Sequence, residues 1–301
     1  MDLSPLDSGG SESQKRAVKI KCLGRNKKIF EEFVEEFKPK IEDDKLHMYI
    51  FNSSYWTPES LIRHRPLESI ALIPEIKDRV INEIKYFDTK EDWFIKRGLA
   101  YKLTFLLHGE PGTGKTSFVR VLASYFKKNI CVININSLSD DSFHTALTKA
   151  PTNSIIIIED FDSSDASSIR YKKEIPKEPS NEIVENQNPS HLKMDLSGLS
   201  LTGILNGLDG IQSLHNVIIF LTTNYLEKVD PALYRKGRVD HIIKLDKTPA
   251  KYVKEYSEYI FPKYDFSQFQ FKDTLGCELN SALLTSQNDP KIYLEYLDLI
   301  E

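Results

Sequence analysis

Residues 109–116 read GEPGTGKT, and they directly follow an apolar run from Leu103 to Leu107. The amphipathic pattern after them predicts a helix over Ser117 to Phe126. A Gx4GK[ST] sequence between a strand and a helix is the context in which such a loop binds phosphate. Its glycines let backbone amides approach an anion closely, and the start of the helix adds a positive field. The segment therefore predicts a nucleotide-phosphate site.

The residue types in this loop also assign roles. Lys115 is placed to reach the β- and γ-phosphates of a nucleotide, and the Thr116 hydroxyl is placed to ligate Mg²⁺. Both residues sit next to the start of the predicted helix, where they and the backbone amides can act on one ligand. The predicted nucleotide-binding residues are Gly109, Glu110, Pro111, Gly112, Thr113, Gly114, Lys115, Thr116 and Ser117.

Two acidic residues follow another apolar run, from Ile155 to Ile158. Glu159 and Asp160 lie just past it, and the carboxyl ends of parallel strands are where such sheets bind ligands. We predict that Glu159 holds Mg²⁺ through water and that Asp160 activates the attacking water. Glutamate before aspartate reverses the commoner order, which leaves open which carboxylate touches the water. A solvated acidic turn is the alternative interpretation.

Asn224 is the next candidate, because it follows the apolar run from Val217 to Leu221. An amide at the tip of a central strand can hydrogen-bond both a γ-phosphate and the lytic water. The alternative is an asparagine that simply begins a turn, which is common. Asn224 is therefore predicted to be catalytic only in combination with the phosphate loop.

Arg235 and Arg238 lie in the segment 230–240, which reads DPALYRKGRVD. Lys115 and Mg²⁺ already serve the phosphates of the same subunit, so we predict that these arginines contact the γ-phosphate of a neighbouring subunit. Hydrolysis would then require assembly. The alternative is a pair of solvent-facing arginines bridged to acids such as Asp240.

The composition is that of an ordinary globular protein, with 301 residues of which 40% are hydrophobic and 28% charged. Forty basic residues against 44 acidic ones give a net charge of −4, so no basic surplus favours a nucleic-acid partner. Three widely spaced cysteines suggest neither a disulfide framework nor a metal site, and they favour the cytoplasm or another reducing compartment. The longest apolar run, 217–221, is far shorter than the ~20 residues of a membrane helix, so no membrane anchor is expected.

The apolar runs after residue 102 predict an α/β core. Because they are continuous rather than alternating, they are typical of strands buried on both faces, as in a parallel sheet flanked by helices. The predicted strands are Leu103 to Leu107, Ile130 to Ile135, Ile155 to Ile158, Val217 to Leu221 and His241 to Leu245.

The remaining sequence suggests four further segments. Residues 1–17 are predicted to be a disordered tail, and residues 18–64 a small N-terminal α+β module that ends in an irregular connector, 56–66. The core, 65–248, contains a polar insertion at 163–195, and residues 249–301 are predicted to form a small C-terminal helical lid. In the module we predict a strand over 18–23, a helix over 29–37 and a second strand over 47–51.

Taken in this order, the motifs resemble those of the AAA ATPases, and within them most closely the Bcs-type branch. The likeness covers about residues 18–297 and includes RPLESI at 65–70, ILNGLDG at 204–210, the two acids at 159 and 160, and NDP at 288–290. The resemblance implies a P-loop NTPase sheet in the order 5-1-4-3-2 and a small helical lid. It also implies a homo-oligomeric ring that hydrolyses ATP with Mg²⁺ and acts as a chaperone or translocase on a protein substrate.

Two departures from that branch qualify the expectation. Its mitochondrial members carry a membrane helix ahead of the region matched here, so membrane anchorage and the Rieske protein as substrate do not transfer. Lys236 stands where the family usually has proline, and this should loosen the arginine-bearing loop because the fixed φ of proline is lost. A nucleotide-responsive scaffold with little turnover, a nucleic-acid-remodelling ATPase and a small-molecule kinase are the alternatives.

Overall fold

The structure is a computed structural model that describes residues 46–161, 198–209 and 214–299. The chain divides into the units 1–44 and 45–301, and every described residue belongs to the second unit. The predicted tail, the strand over 18–23, the helix over 29–37 and the polar insertion at 163–195 lie outside the described residues.

The core of the second unit is a sheet of seven strands in the order β2-β1-β4-β5-β6-β3-β7. All neighbouring strands are parallel except β1 and β2, which pair antiparallel. The five predicted core strands correspond to β3 to β7, and their order confirms the expected 5-1-4-3-2 arrangement. The strands are β1 (Leu46–Asn52), β2 (Tyr55–Ile62), β3 (Tyr101–His108), β4 (Asn129–Ile133), β5 (Ser154–Ile158), β6 (His215–Thr223) and β7 (His241–Lys244).

Helices cover both faces of this sheet, which is why the core strands are apolar on both sides. In β5, Ile155 and Ile157 pack into one hydrophobic cluster, whereas Ile156 and Ile158 pack into the other. The helices are α1 (Pro74–Asp88), α2 (Glu91–Lys96), α3 (Lys115–Tyr125), α4 (Asp140–Thr148), α5 (Leu201–Asp209), α6 (Ala250–Ile260), α7 (Gly276–Ser286) and α8 (Pro290–Tyr296). The described part of the chain contains no helix that could span a bilayer.

The last three helices form the predicted lid around a hydrophobic cluster of their own. Tyr293 is fully buried there, and its hydroxyl lies 3.0 Å from the Ser257 hydroxyl. Burial raises the pKa of Tyr293 to about 12. The cluster also contains Ala71, so the lid packs against the segment that directly precedes α1.

The prediction of a connector over residues 56–66 is wrong for most of that segment, because residues up to Ile62 belong to the strand β2. The strand was missed because Pro58 lacks a backbone N–H and interrupts the pattern, but proline is tolerated at the edge of a sheet. A register shift between Met48 and Tyr49 accommodates the irregular pairing. Trp56 also donates a hydrogen bond of 3.2 Å to the Ala146 carbonyl of α4. Residues 46–62 are thus part of the core sheet, whereas the predicted module over 18–64 had set them apart from it.

β4 is also shorter than predicted. It ends at Ile133 rather than Ile135, because the Asn134 side chain accepts a hydrogen bond of 3.1 Å from the Asn136 amide. This local bond begins a 3-10 turn over Ile135–Ser137. The apolar residue Ile135 is nevertheless buried, so the pattern predicted its burial but not its backbone conformation.

The stacked pair of Phe105 and Phe220 should be a main support of the sheet. Both rings are fully buried with centroids 4.7 Å apart, so Phe220→Ala should lower the free energy of unfolding by about 3–5 kcal/mol. Urea denaturation measures this change. Leu284→Ala is the control, because Leu284 is 82% exposed and its loss should change stability by no more than about 0.5 kcal/mol. Equal shifts for the two variants would contradict the assignment of the core.

Candidate active site

The loop of residues 109–114 connects β3 to α3 in a conformation that requires glycine. Gly109, Gly112 and Gly114 have φ values of 146°, 87° and 96°. A Cβ on Gly109 would collide with the Leu245 carbonyl oxygen, so a larger residue cannot fit there. Gly114 is the N-cap of α3 and has no side chain to cap the first amides of the helix. The loop and helix start therefore offer backbone amides to an anion.

Lys115 is only 8% exposed, and its ammonium is surrounded by oxygen atoms. Its Nζ donates to the carbonyls of Gly109 and Glu110 at 2.8 and 3.0 Å, and to Asn224 Oδ1 at 2.8 Å. The structure thus brings together the predicted lysine of the loop and the predicted asparagine at the end of β6. A buried cation of this kind has the chemistry to bind phosphate oxygens.

Thr116 and Glu159 form the second pair at this site. The Thr116 hydroxyl donates a hydrogen bond of 2.6 Å to Glu159 Oε1, which joins α3 to the end of β5. Mg²⁺ prefers oxygen ligands and commonly uses a hydroxyl, carboxylates, waters and substrate phosphates. The oxygen atoms of these two residues therefore fit the predicted metal site.

Asp160 has a left-handed backbone, with φ of 48°, and lies two residues after the end of β5. Aspartate tolerates this conformation better than most residues, and such outliers cluster at functional sites. Its amide donates to Thr222 Oγ1 at 3.3 Å. Asp160, Thr222 and Asn224 line one cavity, and so does Thr116, the hydrogen-bond partner of Glu159.

This cavity has a volume of about 330 Å³ and extends from the phosphate loop to the lid. On the lid side, the Cys277 amide donates to the Gly112 carbonyl at 2.9 Å, so α7 is bonded directly to the loop. Burial raises the pKa of Tyr256, which lies against the same space. The lining residues that sequence analysis did not assign to a site include Arg65, Ile70, Ala71, Tyr256, Cys277 and Asn280.

The two predicted arginines have different environments. Arg238 forms a bidentate ion pair with Asp209 of its own chain, at 2.6 and 2.8 Å, and its third nitrogen donates to the Ala232 carbonyl. The guanidinium of Arg238 is thus engaged within the chain, and its predicted contact with a neighbouring subunit stays a prediction. Arg235 is exposed, and it is the better candidate for a contact between subunits.

The fold and this loop define a P-loop nucleotide-binding domain. A family model described as "ATPase family associated with various cellular activities (AAA)" matches residues 105–247. Residues 105–247 therefore form a domain of the AAA family, which confirms the family resemblance seen in the sequence.

Individual relatives point to the same branch. The chain is 34% identical to a protein named mitochondrial chaperone BCS1 from Danio rerio, over 74% of this chain and 51% of that protein. It is 32% identical to a probable mitochondrial chaperone bcs1 from Schizosaccharomyces pombe, over 90% of this chain and 57% of that protein. An AAA-ATPase from Arabidopsis thaliana is 36% identical over 82% of this chain and 54% of its own length. The chain thus spans about half the length of the curated relatives it matches.

The ion pair of Asp209 and Arg238 should make stability depend on pH. The hydrogen bond from Arg238 lowers the pKa of Asp209 in the folded protein. The stabilisation is therefore complete above the ordinary carboxyl pKa of about 4 and is lost as the pH falls through the lowered folded-state value. Asp209→Asn should destabilise the protein at pH 7, and the difference from wild type should shrink below about pH 4.

Urea denaturation of Asp209→Asn, Arg238→Ala and the double variant, at several pH values, measures this coupling. The coupling energy between the two positions should be positive at neutral pH and should decline with acidification. A coupling energy that stays constant with pH would show that packing rather than charge joins the two side chains.

Proposed function

We propose that this chain binds ATP with Mg²⁺ and hydrolyses it to ADP and phosphate. The observation that supports the proposal is the buried Lys115 ammonium, which lies 2.8 Å from Asn224 Oδ1 beside the glycine loop. Polar residues from three separate segments lie at one edge of the sheet. These segments are the phosphate loop with α3, the end of β5 and the end of β6. Thr116 and Glu159 would hold Mg²⁺, and the bound ion would neutralise charge on the phosphates.

Asp160 is the residue that we propose as general base. Its position in the cavity, after a left-handed turn, separates it from Glu159, which is bonded to Thr116. Asn224 would orient the attacking water and contact the γ-phosphate. The left-handed backbone of Asp160 and the hydrogen bond between Thr116 and Glu159 support this division of roles.

Assembly into a homo-oligomer is the second part of the proposal. Arg235 is exposed at a turn on the surface, where it can reach a neighbouring subunit, whereas Arg238 is bound to Asp209. An arginine supplied by a neighbour stabilises the charge that develops on the transferred phosphoryl group. Hydrolysis would thus depend on contact between subunits, and the predicted ring would provide that contact.

A protein substrate is the third part. Several relatives are named mitochondrial chaperones, and the lid is bonded to the phosphate loop through Cys277 and Gly112. Changes in nucleotide state would then shift the lid and the subunits of the ring between conformations, and so remodel or move a bound protein.

Two substitutions test the ATPase mechanism. Lys115→Ala should abolish both ATP binding and phosphate release, because it removes the buried cation. Asp160→Asn should keep ATP binding and lower turnover by about 10²–10⁴-fold, the usual contribution of a general base. Calorimetric titration with ATP and Mg²⁺ measures binding, and a phosphate-release assay measures turnover. The exposed Asp92→Asn is the matched control for the second variant. Wild-type turnover by either active-site variant would refute the mechanism.

Mixing two inactive variants tests the contact between subunits. Arg235→Ala lacks only the arginine donor, and Asp160→Asn lacks only the base. If Arg235 acts on a neighbour, mixed assemblies contain some interfaces with both groups intact, and part of the phosphate release returns. The same mixture of Arg235→Ala with an Arg235→Ala, Asp160→Asn double variant should stay inactive. A mixture of the single variants that also stays inactive would place Arg235 outside the neighbouring site.

A further inference from the structure

Lys102 is a buried charged residue that the mechanism above does not use. It lies near the start of β3 and is 7% exposed. Its Nζ donates to the backbone carbonyls of Gly237 and Arg238, at 3.1 and 3.2 Å. Burial lowers the pKa of Lys102, an effect that the negative charges of Asp240 and Asp209 oppose. The ammonium is therefore held by two backbone acceptors of the loop of residues 235–238.

A second set of bonds joins the end of the same loop to the same strand. Asp240 Oδ2 accepts a hydrogen bond of 2.8 Å from the Thr104 amide, and the Asp240 amide donates to the Thr104 carbonyl at 2.9 Å. β3 then continues through His108 into the phosphate loop. β3 thus positions the phosphate loop at its end, and near its beginning it is bonded to the loop of residues 235–238 and to Asp240 just after it.

The arginine loop needs this support because of its own sequence. Gly237 has a φ of 98°, which only glycine adopts readily. Lys236 lacks the fixed φ that a proline at this position would give the backbone. Arg235, Lys236 and Gly237 are all exposed, so packing restrains them little. The two hydrogen bonds from Lys102 act on the carbonyl of Gly237 itself and on that of the next residue, Arg238.

We propose that Lys102 is a positioning residue that holds the loop of residues 235–238 so that Arg235 is presented to the neighbouring subunit. This inference rests on the proposed ATPase function for its catalytic consequence, but the contact itself does not. It also explains how the chain keeps an ordered arginine loop with lysine at position 236: the restraint comes from β3 rather than from the ring of a proline.

Tryptic cleavage of the native full chain tests the contact without reference to activity. Arg235, Lys236 and Arg238 are trypsin sites, and cleavage after them requires the loop to open. Lys102→Met keeps much of the side-chain volume and removes both hydrogen bonds, so cleavage within the loop should become about tenfold faster. Lys128→Met is the control, because Lys128 is 8% exposed and bonds Asp88 instead of the loop. Equal cleavage rates in the loop for both variants would overturn the proposal.

Phosphate release then tests the consequence for catalysis. Lys102→Met should retain ATP binding and lose about 10²-fold in turnover, the scale of a misplaced catalytic group. Lys236→Pro in the same background should recover part of that loss, because proline restores the restraint by another route; Lys236 does not have a left-handed φ that would exclude it. Turnover of Lys102→Met at the wild-type level, or failure of Lys236→Pro to recover any of it, would overturn the positioning role. A wild-type protein that binds ATP without turnover would instead contradict the proposed function, and cleavage would still decide whether Lys102 holds the loop.

Discussion

The buried ammonium of Lys115 is the constraint on which the rest of the site depends. A cation removed from water is stable only where oxygen atoms surround it, and here two loop carbonyls and the Asn224 amide oxygen do so. This arrangement requires the loop to fold back on itself, which in turn requires glycine where the chain passes the Leu245 carbonyl. It also requires β6 to lie beside β3, so the sheet order and the chemistry of the site are two aspects of one arrangement.

The parallel sheet explains why residues far apart in sequence meet. The ends of β3, β5 and β6 lie at one edge, and the segments that follow them carry the polar residues of the site, whereas the strands themselves are mostly apolar on both faces. Aligned strands bring Thr116, Glu159, Asp160 and Asn224 together without any of them lying in a regular strand interior. The site therefore holds its charged groups beyond the ends of strands that are packed mainly with hydrophobic side chains, with Lys102 and Thr104 of β3 among the buried exceptions.

Sequence alone predicted the parts of this structure that are local or periodic. The phosphate loop, the five core strands and the helices of the lid could be found because glycine spacing and apolar runs reflect local geometry. β2 was missed because Pro58 breaks the strand pattern, and only its edge position makes proline acceptable. The engagement of Arg238 was missed because its partner, Asp209, lies on another element. Tyr256 was missed at the cavity because its position depends on how the lid packs, which no local pattern encodes.

The bond between the Cys277 amide and the Gly112 carbonyl gives the lid and the phosphate loop a shared boundary. A swing of α7 away from the loop would break this bond and leave both backbone groups to find new partners. Whatever ligand favours one orientation of the lid must, by thermodynamic reciprocity, be bound more tightly in that orientation. The orientation of the C-terminal helices can thus depend on the ligand that is bound in the phosphate loop.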